Sequence, residues 1–214
     1  MNKLDKMINE FFENNAQLNY LKDNILSACE IIVNSYASGN KVLICGNGGS
    51  CADADHIVGE LMKGFLLKRP LADDLKAKFK ATYGETGEKI ANLLQQGLPA
   101  IALNNHSALN TAFSNDVDPD LIYAQQVIGY MNAGDVLIGI STSGNAANIS
   151  NAVMAANIKG GKTIALTGKT GGDLKNLCNL SLIVNKDETY LIQEQHLIIY
   201  HFICAYVEAS FFEN

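Results

Sequence analysis

Five short apolar runs constrain this chain most: KVLIC (41–45), PAIAL (99–103), DVLIGI (135–140), TIALTG (163–168) and LSLIV (180–184). Each is nearly continuous in apolar character instead of alternating, the pattern of strands covered on both faces. Helix-length segments separate them, such as AANISNAVMAANIKGG, which ends in a Gly-Gly stop signal. Strand–helix alternation of this kind gives an α/β fold, a doubly wound sheet of five parallel strands flanked by helices. Ligands of such sheets sit at the carboxyl ends of the strands, where the strand order reverses.

Helices extend the pattern at both ends. From residue 2 to about 38, Ile8, Phe11 and Phe12 share one face and Leu18, Leu21, Ile25, Cys29 and Ile32 another. That pattern predicts two N-terminal helices, or one that bends near Asn14 and Asn15. SGN at 38–40 closes the section as a turn. Residues 189–212 read as one long C-terminal helix, too apolar to face water all round, so part of it is expected in a subunit interface. With 214 residues, 48% of them apolar, the chain suits a single domain spanning 1–214. A net charge of −6 and no Lys/Arg stripe argue against nucleic acid as a partner. Charges interrupt MNKLDKMINEFFENN, so it is no signal-peptide core, and no run reaches membrane-spanning length. The five cysteines are scattered, odd in number and lack a C-x-x-C pair, which fits reduced thiols in a cytoplasmic protein.

The first and third runs feed directly into GNGGS (46–50) and STSGN (141–145). Glycine lets backbone N–H groups turn inward, and the helix that follows favours negative charge. Ser50, Ser141, Thr142 and Ser143 could add hydroxyl donors to a phosphate. No Lys or Arg stands nearby in sequence, so the site would use neutral donors. Ser and Gly also serve as turn and cap residues, and one such loop would mean no more than that. Two of them, each behind a buried strand, point to a ligand. A dinucleotide fingerprint would need glycine where Cys51 stands, and no G-K-[ST] marks a P-loop. TGKTGGDL (167–174) reads as a turn only.

His56 and Glu60 are four residues apart on the helix after the first loop and so share a face. That spacing suits two groups converging on a metal, or a carboxylate base beside a histidine. In LIQEQHLIIYH (191–201), Gln193, Glu194, His196 and His201 interrupt an apolar helix and need partners. Gln193 and His196 share one face, Glu194 and His201 another. Gln193 and His201 are roughly 12 Å of helix rise apart. One metal binds both only if the side chains reach toward each other or two copies of the helix contribute.

Taken together, CGNGGS, DxxHxxxEL, NDxxxxxxYxxQV, GDVLIGISTSGN, TIALTGKTGG and IQEQH with its later histidine resemble the phosphoheptose isomerases of the sugar isomerase (SIS) domain superfamily. The resemblance implies an SIS-type, flavodoxin-like sheet and a homotetramer with active sites between subunits. It implies conversion of sedoheptulose 7-phosphate to D-glycero-D-manno-heptose 7-phosphate through an enediol, with Glu60 as base and His201 as acid. Zinc, one per active site, would be held by His56, Glu60, Gln193 and His201. Ser50, Ser141, Thr142 and Ser143 would hold the phosphate, Asn47 and Asp116 would contact the sugar, and Gly48, Gly49, Asn115 and Gln193 would complete the substrate site. His106 receives no role.

Three departures bear on the substrate. Ala146 stands where the family carries a hydroxyl, and Tyr190 where it often carries an acid. Residues 66–98 read as an insertion, with two short helices around YGETG that could lid the site, modify the tetramer or lie solvated on the surface. The alternatives are an isomerase of another ketose phosphate, or a non-catalytic SIS protein that binds a sugar phosphate or a replication initiator. Having both Glu60 and His201 favours the enzyme.

Overall fold

The computed structural model describes residues 3–213; residue 2 and the two ends of the 1–214 span lie outside the described residues. Helices α1 (Lys3–Asn14) and α2 (Lys22–Ala37) are separate, joined by a 3-10 turn over Ala16–Leu21. The Asn15 side chain and backbone N–H both donate to the Phe11 carbonyl at 2.9 Å. A side chain that competes for a helix's own carbonyl favours an end there.

Strands β1 (Val42–Gly46), β2 (Ala100–Ala102), β3 (Val136–Ile140), β4 (Lys162–Thr167) and β5 (Leu180–Ile183) each fall on one of the apolar runs. They form one parallel sheet in the order β2-β1-β3-β4-β5. Alternate side chains serve two apolar layers. Val42, Ile44, Ile138 and Ile164 pack with α1, α2, α3 (Gly49–Met62) and α9 (Thr189–Phe212). Leu43, Leu137 and Ala165 pack with α6 (Ile122–Tyr130), α7 (Ala147–Ile158) and α8 (Leu174–Leu177). Each buried Leu or Ile contributes about 1.5–3 kcal/mol, so both faces must stay apolar and the runs read as continuous.

Strand order reverses at β1, which has β2 on one side and β3 on the other. The crevice between the carboxyl ends of β1 and β3 is therefore the switch point at which such sheets bind ligands. Both glycine–hydroxyl loops open there.

Within residues 66–98, α4 (Asp73–Leu93) is interrupted at Gly84, which has φ 59° and ψ −139°. The two helical segments that result match the expected pair around YGETG. Lys80 bonds Glu88 across them at 2.9 Å, and most of α4 is exposed. Gln96 N–H donates to the Arg69 carbonyl at 2.7 Å where the excursion rejoins the core. α5 (Ser107–Asp116) follows β2. Among the described residues no helix is long and apolar enough to cross a membrane.

Candidate active site

The two loops are tied across the crevice by reciprocal amide bonds of 2.8 and 3.0 Å between Asn47 and Asn148. From α6, the Tyr123 hydroxyl donates to the Gly46 carbonyl at 2.8 Å and holds the end of β1. Between the loops lies a cleft of about 300 Å³, walled by Asn47–Ser50 and Ser141–Ser143 and closed by Thr189 and Gln193 of α9. Ser50 and Ser141 are buried. The N-terminal ends of α3, α7 and α9 all open toward it, and each favours an anion. Among the described residues no Lys or Arg lines this cleft, in keeping with a neutral-donor site. Gly49 is required by close approach, because a Cβ there would fall 2.4 Å from Gln193 Nε2. A larger cleft of about 470 Å³ lies between residues 64–70 and 92–95. Its walls mix leucines with Lys68 and Arg69, but Arg69 is committed to Glu208 and no hydroxyls converge there, so a phosphate fits the smaller one better. TGKTGGDL packs on the second loop, where Asp173 N–H donates to Asn145 Oδ1 at 3.0 Å, and acts as a turn.

Helices α3 and α9 run side by side, with Gly49 against Gln193 and, roughly two turns on, His56 against Tyr200 and His201. His56 Nε2 lies 3.2 Å from Glu60 Oε1 and 3.4 Å from His201 Nε2. Glu60 accepts from Lys63 Nζ at 2.9 Å through its other oxygen. Burial works to raise the Glu60 pKa, but Lys63 and His56 together outweigh it and hold the carboxyl below its ordinary range. Burial, aided by His56, holds the His201 imidazole below its ordinary range, with Glu60 opposing.

The structure thus brings His201 to His56 and Glu60 within one chain. Gln193 lies instead at the cleft, beside the first loop. Asn115 and Asp116 sit exposed at the end of α5, bonded to each other at 2.8 Å and outside the walls of the cleft. His196 is buried away from the cluster, bonded through Nε2 to the Thr167 carbonyl at 3.2 Å, and burial lowers its pKa to about 4. His106 meets the Tyr130 hydroxyl at 3.0 Å on the surface.

Ligand atoms about 2.0–2.1 Å from a tetrahedral zinc are roughly 3.3 Å apart. The separations His56–Glu60 and His56–His201 match two edges of such a tetrahedron, at 3.2 and 3.4 Å. The third edge is not closed, and among the described residues no group of three or more His, Cys, Asp or Glu is assembled as a metal site. Donor type and the two formed edges fit zinc.

Several residues of this neighbourhood escape sequence reasoning. Thr189 closes the cleft, Lys63 holds Glu60, and Tyr200 bridges His56 Nδ1 and Asp53 Oδ1 at 3.0 and 3.3 Å. Burial raises the Asp53 pKa, with the Tyr200 hydrogen bond and His56 opposing. Buried Arg69 donates to the Leu61 and Glu60 carbonyls and pairs with Glu208 of α9 at 2.7 Å. A lone Glu in FICAYVEASFF was the available signal for that pair.

A switch-point cleft of hydroxyls and helix ends, with an acid–base cluster on the two adjoining helices, defines a sugar-phosphate class of site. Residues 8–93 and 80–168 match the SIS domain family, and the chain is an SIS-domain protein. A phosphoheptose isomerase of Citrifermentans bemidjiense is 42% identical over 188 residues, 88% of this chain and 84% of that one. Another, of Nitratidesulfovibrio vulgaris, is 35% identical over 95% of this chain and 83% of its own length. The structure of a phosphoheptose isomerase from Francisella tularensis superposes with a TM-score of 0.74 at 34% identity, covering 97% of this chain and 98% of that one. That from Neisseria gonorrhoeae gives 0.74 at 29% identity, covering 97% of both chains. The chain belongs to the phosphoheptose isomerase family and is an isomerase.

Proposed function

We propose that the protein converts sedoheptulose 7-phosphate to D-glycero-D-manno-heptose 7-phosphate through a 1,2-enediol, as a homotetramer in the cytoplasm. The observation that carries this reading is the run of α3 from an anion-favouring cleft to a carboxylate–imidazole cluster. Ser50 and Glu60 are roughly 15 Å of helix rise apart, a span that suits a long-chain sugar phosphate with its phosphate at one end. The loop hydroxyls and the N-termini of α3 and α7 hold the phosphate, and Asn47 meets the sugar.

Glu60, kept ionised by Lys63 and His56, takes the proton from C1 of the ketose. The C–H electron pair becomes the C1–C2 double bond, and the C2 carbonyl oxygen takes a proton from His201. The enediol collapses in the opposite sense: the C1 oxygen returns a proton to His201, and C2 takes one from Glu60, leaving an aldehyde at C1. His56, Glu60 and His201 would hold the zinc, which when bound supplies Lewis-acid polarisation of the sugar oxygens, whereas Gln193 lies at the cleft and serves the substrate there. Asn115 and Asp116 lie off the cleft, so their sugar contacts are made to a cleft of another copy. The exposed apolar residues Leu197 and Phe211 on α9 support such an assembly.

Proton NMR of sedoheptulose 7-phosphate with the protein in D2O, with and without zinc, tests this. The aldose appearing with deuterium at C2 is the expected result. Saturable binding with neither product nor exchange would reject catalysis on this sugar and favour a binding protein.

A further inference from the structure

We propose that Tyr200 is a positioning residue that fixes the proton of His56 on Nδ1 and so presents Nε2 to the metal. The inference rests on the reading of His56 as a ligand and names the residue that prepares it.

Three groups from two helices form a line: Asp53 and His56 of α3, with the Tyr200 hydroxyl of α9 between them. The hydroxyl lies 3.0 Å from His56 Nδ1 and 3.3 Å from Asp53 Oδ1. A phenol has one hydrogen to give, so only one of these can be donated by Tyr200. Asp53 decides which. Its Oδ2 is buried and has no partner among the described residues, so the phenol is the donor on which the carboxylate depends. Giving that hydrogen to His56 instead would leave a half-buried carboxylate, one oxygen of which is already unpartnered, with no donor at all, the costlier arrangement. The phenol therefore donates to Asp53 and its oxygen accepts from His56 Nδ1–H.

With Nδ1 committed, Nε2 is the nitrogen directed at Glu60 Oε1 and His201 Nε2, at 3.2 and 3.4 Å. A carboxylate or carbonyl behind a metal-bound histidine sets its tautomer and ring orientation and raises its basicity. Here the carboxylate acts through a phenol. Tyr200 is only 2% exposed and packs edge-on to the His56 ring, so the bridging phenol is held in place.

The test is zinc affinity by chelator competition in the wild type, Tyr200→Phe and Asp53→Asn. Imidazole 15N NMR of the zinc-loaded wild type and Tyr200→Phe accompanies it, in a chain with only four histidines. Phenylalanine keeps the packing but takes away the donor to Asp53, so metal-free thermal unfolding should drop modestly while the protein stays folded, and zinc affinity is compared on folded protein. Loss of the relay should weaken zinc by about tenfold or more. The wild type should show a His56 Nδ1–H protected from exchange, and Tyr200→Phe should lose that protection. Asp53→Asn, which keeps an acceptor but loses the charge, should weaken zinc less. Zinc binding by Tyr200→Phe within about twofold of wild type, coordination through Nδ1, or no zinc binding by the wild type would each overturn the inference. If Tyr200→Phe weakens zinc as stated while the wild type fails to turn over sedoheptulose 7-phosphate, the substrate assignment falls and the relay stands.

Discussion

Replacing Glu208 with Gln changes the side chain little in size and should be among the most damaging single substitutions in the molecule. Glu208 is fully buried and accepts from the backbone N–H groups of Phe65, Leu66 and Leu67 at 2.8, 2.7 and 3.0 Å. Its fourth partner is Arg69 Nε at 2.7 Å, also buried. An amide keeps one acceptor oxygen but turns an NH2 group toward donors, and it leaves the guanidinium without its counter-charge. Breaking one side of a buried pair typically costs about 3–5 kcal/mol, a large share of the 5–15 kcal/mol that holds a domain together. For a chain of this size that corresponds to a fall in Tm of about 6–20 °C. Urea and thermal unfolding of Glu208→Gln beside the wild type measure it directly. Arg69→Met with Glu208→Leu should recover part of the loss. Recovery stays incomplete because three backbone N–H groups lose their acceptor. A loss under about 1 kcal/mol for Glu208→Gln would refute the reasoning. Function should follow stability here, because Arg69 also bonds the Glu60 and Leu61 carbonyls, at 3.1 and 2.7 Å, and so sets the end of the helix that carries Glu60, the base proposed above.

Glu60→Gln should abolish deuterium exchange into the sugar while leaving phosphate-ester binding nearly intact; unchanged turnover would remove Glu60 as base. Gly49→Ala places a methyl 2.4 Å from Gln193 Nε2 and should weaken sugar-phosphate binding by about tenfold without unfolding the protein, as read by calorimetry and circular dichroism. Ser141→Ala should raise KM more than it lowers kcat if Ser141 is the phosphate donor proposed above, since no acid–base group is touched. His196 titrates at about 4 in the folded protein and near its ordinary value when unfolded. The unfolded state therefore binds the extra proton first as pH falls, and stability is lost between about pH 6.5 and 4, by up to about 3 kcal/mol. Urea midpoints at pH 7.5 and 5 should separate in the wild type and less so in His196→Gln; equal separations would exclude His196 as the cause.

What the sequence by itself determined is what depends on neighbours along the chain. Continuous apolar runs located all five strands, because a strand buried on both faces has room for few polar residues; Thr163 and Thr167 of β4 are the buried exceptions. Glycines and hydroxyls behind the first and third runs marked the two loops that wall the cleft, because backbone that turns sharply into a helix needs those residue types. The four-residue step from His56 to Glu60 placed both on one face, because the helical period is local. The tertiary structure decided which distant residues share that face. Nothing in the spacing of Gln193 and His201 said that one would lie at the cleft and the other against His56. The side-by-side docking of α3 and α9, elements about 140 residues apart in sequence, separates them. The same docking slips Tyr200 between Asp53 and His56, and closes Glu208 around the 65–67 backbone and Arg69. In sequence these are a tyrosine and an acid like many others, and the chain's single arginine with nothing beside it to name its partner. Their roles arise from burial, which removes water as a partner and leaves each polar group only those partners that packing supplies.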